Sequence, residues 1–552
     1  MAYNLSYGTA SATLIAIVSL LLYLALRRGS NIGHIVGPPS PSWIFGNALE
    51  LFLPSEYGDY EFKWQKVYGS LYRFKGCFGE DRLMVSDPLA LKYLFNSPHV
   101  EHAPHWRNMF RMLYGEKSVL VSRGMLSSCC LYATLNKLVA IGQAHKRLRG
   151  ALNSAFTAVA VREYQPMIER AAQQLAEELE KSSAQSVNVS PLLSDATLSA
   201  ASEAILGYSL QELGEEFVVN NTRVLALSAS QSRAQVLADG IGSYIPFWVF
   251  RMVARLPTTA FKAVHRVSYL GTQLGRKVVR EKMNVVRQGL AADRDVYSFL
   301  LESEKTAKAL SEEDLVAQTV ILLIAGQDTT ANTLSFGLLE LARHPEFQAR
   351  LRDEIRSRAG GDGVYDDMPL LNAFIKARYG LNRSDILLII PQETLRLYPT
   401  LPIEERTAVE DVVVPLTESI TTSNGESIPQ IHIRKGTPIT LGIASFQRLE
   451  SLWGTDADEF KPSRWLEGNP YRGEVLGPYA NLLSFGSGPH TCLGWRFAVL
   501  EMQVVLCELV SKFLFALPED SSVRKCLAFT LIPMISTGEK GTFLRVSRIH
   551  EN

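Results

Sequence analysis

Cysteine is scarce in this chain of 552 residues, and the cysteines present lack the paired spacing of a zinc site or a disulfide framework. We therefore exclude a disulfide-stapled secreted domain and expect the main body of the chain to be cytosolic. An excess of charge of one sign is also missing, because 56 basic residues balance 56 acidic ones. Without a basic footprint, no nucleic-acid partner is expected. The six cysteines are Cys77, Cys129, Cys130, Cys492, Cys507 and Cys526.

Charged residues are absent from residues 1–26, and residues 10–26 are almost wholly apolar before Arg27 and Arg28 end the run. About 20 apolar residues span a bilayer, and a secretory signal would carry its positive charge before the apolar run. We predict a short lumenal tail (1–9), a single transmembrane anchor with its stop charges (10–28) and a cytosolic remainder. On this topology Asn4, in the triplet Asn-Leu-Ser, is a lumenal glycosylation acceptor.

A stiff, proline-rich hinge is predicted over residues 29–45, which contain the run GPPSP. Beyond the hinge there are no repeats and no long low-complexity linker, so residues 46–552 are interpreted as one catalytic domain. Helical periodicity dominates its long segments, and short β-branched runs are fewer. The sequence therefore predicts a mostly α fold with small β-sheets. The helical segments are 162–180, 315–358 and 495–515, and the strand-like runs are 71–74, 83–85, 411–415 and 437–441.

A glycine-rich loop, FGSGPHTCLG at residues 485–494, delivers Cys492 just ahead of a helix-like run that starts at Trp495. Glycines around a cysteine let the backbone approach a flat cofactor and leave amide groups free to point at the sulfur. A lone cysteine would more often be an ordinary buried residue. The whole ten-residue context instead resembles the ligand loop of the cytochrome P-450 family, the haem-thiolate monooxygenases.

A second motif, AGQDTT at residues 325–330, places two small residues on a predicted helix beside an acid and hydroxyl groups. The small residues open a groove, and the polar groups can steer protons and water. A buried helix break capped by polar side chains is the plainer interpretation. The resemblance implies an oxygen-activation groove in which Asp328 and Thr329 organise proton delivery to bound dioxygen.

Glu393 and Arg396 stand three residues apart and can pair on one helical face. Alone, such a pair usually lies on a solvated surface. The family resemblance instead implies a buried structural cluster of Glu393, Arg396 and Arg464, the last within the run FKPSRW at residues 460–465.

The resemblance also implies haem b (iron protoporphyrin IX) as cofactor, with Cys492 as the axial ligand of the iron. His145 and Arg149, one helical turn apart, and His490 are expected to hold the haem propionates. His490 departs from the family, which more often has arginine there, and histidine makes a weaker contact that depends on its protonation. The loop positions that shape the haem site are Phe485, Gly488 and Gly494.

The motifs are typical of fungal microsomal members, which implies an endoplasmic reticulum membrane protein that oxidises a lipophilic small molecule with O2. A terpenoid or another secondary metabolite is the expected substrate. Electrons would come from NADPH through a separate flavin-containing NADPH–cytochrome reductase, with cytochrome b5 as a second candidate partner. Three alternatives stay open: a haem-thiolate isomerase or dehydratase, a non-catalytic membrane haem protein, and an inactive product of a faulty gene model. Family order predicts that residues 105–120, 228–250, 401–403 and 532–535 line the substrate pocket.

Two segments, 125–142 and 377–392, interrupt the family pattern. Both mix apolar and polar residues irregularly, and Pro391 stands where a helix should already be under way. Our hypothesis is that both are introns retained in frame, since Gly124-Met125 can be encoded with a GTATG donor and Ile141-Gly142 with an AG acceptor. Genuine surface loops are the alternative.

Overall fold

A computed structural model describes residue 19 and residues 31–121, 135–181, 186–289, 294–302, 310–358, 386–466, 471, 473–519 and 522–549. The predicted tail, Asn4 and, apart from residue 19, the predicted anchor lie outside the described residues. Within the described ranges, no helix is both long enough and apolar enough to cross a membrane.

The described chain forms two compact units. The first unit draws its residues from Met1–Met109, Gln231–Pro257 and Ile403–Phe446, and the second from Phe110–Ser230, Thr258–Pro402 and Gln447–Asn552. Helices dominate the second unit, whereas the first is built around a sheet.

Over the described ranges the strands form four small sheets, each of which lies within one unit. In the first unit the five-stranded sheet has the order β1-β2-β8-β5-β3 and the pair β6-β7 stands separately, while the second unit contains the pair β10-β11 and the sheet β4-β12-β9. The strands are β1 (Leu71–Lys75), β2 (Asp81–Val85), β3 (Val100–His102), β4 (Ser186–Asn188), β5 (Ile403–Ala408), β6 (Val412–Thr421), β7 (Ser427–Ile433), β8 (Pro438–Gly442), β9 (Phe513–Ala516), β10 (Arg524–Leu527), β11 (Leu531–Met534) and β12 (Phe543–Arg548).

The described helices vary in length from single turns to 29 residues. They are α1 (Ala48–Phe52), α2 (Glu61–Tyr68), α3 (Pro88–Asn96), α4 (Pro104–Tyr114), α5 (Leu135–Ser154), α6 (Ala158–Glu163), α7 (Gln165–Lys181), α8 (Val189–Leu206), α9 (Leu210–Leu213), α10 (Glu215–Ala229), α11 (Arg233–Gly242), α12 (Phe247–Val253), α13 (Thr259–Arg287), α14 (Val296–Glu302), α15 (Glu312–Val316), α16 (Thr319–Arg343), α17 (Pro345–Arg358), α18 (Ile386–Leu397), α19 (Ile443–Phe446), α20 (Glu450–Trp453) and α21 (Trp495–Lys512).

Large buried side chains hold the register of the five-stranded sheet. Strands β1 and β2 pair antiparallel with Leu71 opposite Val85, and β2 pairs parallel with β8. Tyr72, Phe74 and Met84 are fully buried in one core cluster. Because side chains alternate along a strand, a slip by one residue would move these large side chains to the opposite face.

Helix α16 forms the centre of the second unit and is buried along most of its length. It packs against α8, α13, α18 and α21. Glycines allow these close approaches: a Cβ at Gly271 of α13 would lie 2.4 Å from Val320, and one at Gly326 would lie 2.9 Å from Ala201 of α8. Larger residues at these positions would force the helices apart.

The mostly α fold with small sheets is confirmed, and the predicted helical segments fall on α7, α15 to α17 and α21. The last segment was predicted to continue to residue 515, but α21 ends at Lys512 and β9 begins at Phe513. Pairing of β9 with β12 overrides the helical pattern there. Periodicity alone cannot separate a helix end from a short buried strand.

Candidate active site

The cysteine loop is held by its own backbone. The amide of Cys492 donates to the carbonyl of Phe485 at 2.7 Å, and the amide of Thr491 donates to the carbonyl of Gly488 at 3.1 Å. Gly488 has a φ of 62°, a left-handed conformation that glycine adopts without strain. Phe485 is buried with its ring edge-on to Tyr479, at a centroid distance of 6.1 Å. These contacts fix where the cysteine side chain emerges.

Cys492 is exposed, whereas Cys77 and Cys507 are buried. Protein atoms still crowd around the thiol, and this desolvation raises the pKa of Cys492, while the backbone amide of Gly494 and the charge of Arg149 oppose the rise. Gly494 directly precedes α21, and a Cβ built on it would meet nothing within 4 Å. The loop therefore offers an accessible sulfur with an amide directed at it and open space alongside.

A pocket of about 570 Å³ lies beside the cysteine and includes His145, Arg149, Gly488 and Cys492 in its lining. The Arg149 guanidinium donates to the carbonyl of Thr491, so α5 is tied to the cysteine loop. His145 is buried, and its ring lies 5.8 Å from that of His490. The structure thus brings together the three basic residues that sequence reasoning assigned to the haem propionates.

The AGQDTT motif at residues 325–330 lies within α16. Ala325 is exposed and Thr329 is half-buried, although Gln327 and Asp328 between them are buried. Ala325 and Thr329 therefore lie on a part of the helix surface that neighbouring residues leave partly uncovered. The Thr329 hydroxyl donates to the Ala325 carbonyl at 2.8 Å, one turn back, a bond that often bends a helix.

Asp328 points into a polar cluster of its own. Lys540 forms an ion pair with one carboxylate oxygen, while Asn332 and Thr530 donate to the other at 3.0 and 3.1 Å. Lys540 is 21% exposed, and the Asp328 side chain is 10% exposed. The predicted proton-handling acid is therefore a bound carboxylate linked to solvent through a lysine. Sequence reasoning missed Lys540 and Thr530 because each lies roughly two hundred residues from Asp328 and neither belongs to a motif.

The residues that directly precede two of the predicted substrate-lining segments lie near this motif. Thr400 donates to the Thr329 carbonyl at 3.4 Å and exchanges a hydrogen bond with Thr333 at 3.1 Å. The amide of Leu531, next to the 532–535 segment, donates to the carbonyl of Thr400 at 2.8 Å. Ile532 packs in a buried apolar cluster with Ala229. Thr400 and Leu531, each of which directly precedes a predicted lining segment, thus lie beside this motif.

His105, at the start of the predicted lining segment 105–120, contacts a serine and a glutamate of the first unit. Its side chain is buried in the first unit, and its ring nitrogens lie 2.9 Å from the Ser243 hydroxyl and 3.1 Å from a Glu405 oxygen. Arg82 completes an ion pair with Glu405. His105 belongs to a polar network that sequence reasoning did not identify, since its members come from distant segments.

Glu393 lies at the centre of a fully satisfied buried cluster. Arg396 donates to both of its oxygens at 2.9 Å, and Arg464 and the Trp465 indole each donate to one at 2.9 Å. Burial raises the pKa of Glu393, but the charges of Arg396 and Arg464 outweigh burial and hold it below its usual value. Arg396 also donates to the backbone carbonyls of Gln447, Ala457 and Glu459. The structure brings the three predicted members together at a structural position.

The interrupting segments lie partly outside the described residues. Of 125–142, residues 135–142 form the first part of helix α5, and of 377–392, residues 386–392 form the first part of α18. Pro391 lies inside that helix. The intron hypothesis stays a prediction.

A haem-thiolate site fits the residues present: an exposed cysteine with an amide on its sulfur, a basic set beside it and a helix opened at small residues. The profile of the cytochrome P450 family matches residues 36–546. The chain therefore belongs to the cytochrome P450 family, which confirms the sequence resemblance. Haem is the cofactor that this family implies.

The chain is similar over nearly its whole length to fungal monooxygenases. It is 28% identical to the cytochrome P450 monooxygenase claU of Ampulloclitocybe clavipes, covering 94% of this chain and 93% of that one. It is 29% identical to the cytochrome P450 monooxygenase 219 of Postia placenta, with 92% and 94% covered. It is 28% identical to the ganoderic acid synthetase CYP5150L8 of Ganoderma lucidum, with 92% and 93% covered. The protein is a cytochrome P450 monooxygenase.

Proposed function

We propose that this monooxygenase oxidises a lipophilic small molecule, a terpenoid or another secondary metabolite of a fungal pathway. The carrying observation is the exposure of Cys492 in a pocket that also presents His145 and Arg149. Apolar Ile532 and Ala229 near the groove suit a lipophilic substrate. The relative named as a ganoderic acid synthetase supports a secondary-metabolite substrate.

In the proposed reaction, one oxygen atom of O2 enters a C–H bond and the other leaves as water, which requires two electrons and two protons. NADPH supplies the electrons through a flavin-containing reductase, and cytochrome b5 is a second candidate donor. Bound haem b provides the iron at which oxygen is reduced. Cys492 would hold that iron, and His145, Arg149 and His490 would contact the propionates.

The chain's own contribution to proton supply lies on α16. Thr329 borders the groove, and the neighbouring Asp328 is bound to the partly exposed Lys540. We propose that protons pass from solvent by way of this ion pair to the Thr329 side. The bound carboxylate keeps its position because Asn332 and Thr530 hold its second oxygen.

We also propose a single membrane anchor at 10–28, an endoplasmic reticulum location with the catalytic domain in the cytosol, and a glycan on Asn4. The support is the charge-free apolar run followed by Arg27 and Arg28. An Asn4→Gln variant should lose a glycosidase-sensitive mobility shift of the microsomal protein. An unshifted wild-type protein, or one that carbonate extraction releases, would contradict this topology.

The decisive experiment is the carbon monoxide difference spectrum of the dithionite-reduced protein in microsomes with haem supplied. The wild type should show the strongly red-shifted Soret band of a thiolate ligand, and Cys492→Ser should lose it. Cys507→Ser is a matched control, because Cys507 is buried in α21 and should leave the band unchanged. Retention of the band in Cys492→Ser would disprove the ligand assignment.

A missing band in the wild type would mean either that residues 125–142 and 377–392 disturb folding or that Cys492 is not the ligand. One further experiment separates these two explanations. The measurement is repeated on chains that lack 125–142, 377–392 or both. A band that appears only after deletion would support the retained-intron hypothesis. Transcripts that run through both segments, together with a band in the full chain, would show that the segments are genuine.

A further inference from the structure

Glu501 lies on α21, the helix that follows the cysteine loop, and its side chain is completely buried. Neither of its carboxyl oxygens has a hydrogen-bond partner among the described residues. Its neighbours along the helix, including Leu500 and Met502, are also buried. A glutamate in such surroundings requires an explanation, because buried polar groups are normally paired.

An ionised carboxylate in this position would be strongly unfavourable, since none of the described residues pairs with Glu501 to compensate for lost hydration. Burial accordingly raises the pKa of Glu501 well above its ordinary value, and the one opposing influence comes from the Thr330 hydroxyl. Glu393, equally buried, is surrounded by two arginines. The contrast indicates that Glu501 carries a proton at neutral pH.

Thr330 is the residue through which this proton can act. It is buried on α16, directly after Thr329, and α16 packs against α21. The Glu501 carboxyl and the Thr330 hydroxyl interact without meeting at hydrogen-bond geometry. Rotation about the last side-chain bond of a glutamate is soft, so a protonated carboxyl can turn to close this bond.

We propose that Glu501 is a positioning residue: a neutral carboxylic acid that hydrogen-bonds to Thr330 and links the helix behind Cys492 to the groove residue Thr329. The bond fixes the segment of α16 that carries the groove. Its consequence for catalysis rests on the proposed function, whereas its charge state and its bond do not.

Infrared difference spectroscopy tests the charge state on the full chain, with or without turnover. The wild type minus Glu501→Gln should show the carbonyl band of a protonated carboxylic acid at neutral pH. Glu508→Gln is the control on the same helix, since Glu508 pairs with Lys512 and should yield only a carboxylate band. A carboxylate band in the wild-type minus Glu501→Gln difference spectrum would overturn the proposal, because it would show that Glu501 is ionised. Failure of this variant to fold would also count against it, because the amide matches a neutral acid in size and charge.

A double-mutant cycle tests the bond itself. Glu501→Leu and Thr330→Val should each lower the urea midpoint, and the double variant should lose little more than either single one. Near pH 4, where the unfolded glutamate still holds most of its proton, Glu501→Gln should retain the wild-type midpoint, because an amide can still bond to Thr330. Full additivity of the two single effects would refute the link between the helices.

The positioning role has a functional readout that stability does not supply. Glu501→Leu and Thr330→Val should both lower product formed per NADPH consumed by a few-fold, and Glu501→Gln should restore it to within about twofold of wild type. Unchanged coupling in Glu501→Leu would refute the positioning role. If the wild type shows no turnover at all, the proposed function fails, but the infrared result and the cycle still decide the state of Glu501.

Discussion

Glu393 and Glu501 have the same side chain, lie on helices of the same unit and are both fully buried, yet their surroundings are opposite. Glu393 accepts hydrogen bonds from two arginines, a tryptophan and the Lys461 amide. Glu501 accepts none from the described residues. Burial alone therefore does not determine the charge of a carboxyl in this protein; the presence of compensating donors does.

The difference has consequences that can be measured as a function of pH. The pKa of Glu393 is lowered, so its contribution to stability is present above its unfolded pKa and disappears as pH falls through the folded value. The pKa of Glu501 is raised, so its contribution is complete below the unfolded pKa and disappears as pH rises. Variants at the two positions should thus respond to pH in opposite directions.

Removing a partner of Glu393 should have the largest effect. Arg396→Leu leaves the buried Glu393 carboxylate with only one arginine and removes the hydrogen bonds to three backbone carbonyls. We therefore expect a loss of about 3–5 kcal/mol in the free energy of unfolding. The protein should fail to retain haem during purification. Lys181→Ala is the surface control, since it breaks an exposed pair with Glu178 and should change stability by less than about 0.5 kcal/mol. Equal effects of the two substitutions would contradict a structural role for the cluster.

Glu501→Gln tests the contrast between Glu501 and Glu393 through the pH dependence of the unfolding free energy. Above pH 4.5 the unfolded wild type releases the proton that folded Glu501 retains, so the stability of Glu501→Gln relative to wild type should increase by about 1.4 kcal/mol per pH unit until the folded pKa is reached. Urea midpoints between pH 5 and pH 8 measure this difference. A flat difference across that range would mean that folded Glu501 is ionised.

Lys540→Met tests the ion pair of Asp328, which is more exposed than either glutamate and has fewer charged partners than Glu393. Asp328 would keep its bonds from Asn332 and Thr530, so the expected loss in unfolding free energy is only about 1–2 kcal/mol. If the pair supplies protons, product per NADPH should fall and peroxide release should rise. Lys512→Met, which breaks a pair on the surface of α21, is the control for lost charge. Unaltered coupling in Lys540→Met would remove the lysine from the proton route.

Sequence reasoning identified the parts of the site that are contiguous along the chain. The cysteine loop is one continuous run, and Glu393 and Arg396 are three residues apart on a helix, so local geometry makes their relation visible. Arg464 could be assigned only by family resemblance. Lys540 and Thr530 reach Asp328 from the C-terminal segment, and no local pattern marks such partners.

Contacts between residues far apart in the sequence also determine charge states and the ends of some helices, and local patterns do not reveal them. The sequence alone gives no indication that Glu501 lacks a partner, because a missing contact depends on how α16 and α21 pack. Periodicity located the helices α7, α15 to α17 and α21 and the strands β1, β2, β6 and β8, but the crossover from α21 to β9 at Phe513 depends on pairing with a distant strand.

Asp239 offers the smallest and most local test, in the first unit. Burial raises the pKa of Asp239 to about 6, while the charges of His105 and Arg82 lower it and Glu405 raises it further. Its contribution to stability is therefore complete below an unfolded pKa of about 3.9 and is lost as pH rises through 6. Asp239→Asn should stabilise the protein by about 1 kcal/mol at pH 8 and hardly at all at pH 4.5.

The control for Asp239 is its hydrogen-bond partner. Gln235 donates to the carboxylate at 2.9 Å, so Gln235→Ala should remove one donor without removing the charge. Gln235→Ala should raise the pKa of Asp239 further, so the pH-dependent loss of stability should extend to higher pH. Asp239→Asn, in contrast, should abolish that pH-dependent loss. A midpoint difference between Asp239→Asn and wild type that does not depend on pH would show that Asp239 titrates near its ordinary value, in which case half-burial among these charges has no net effect on it.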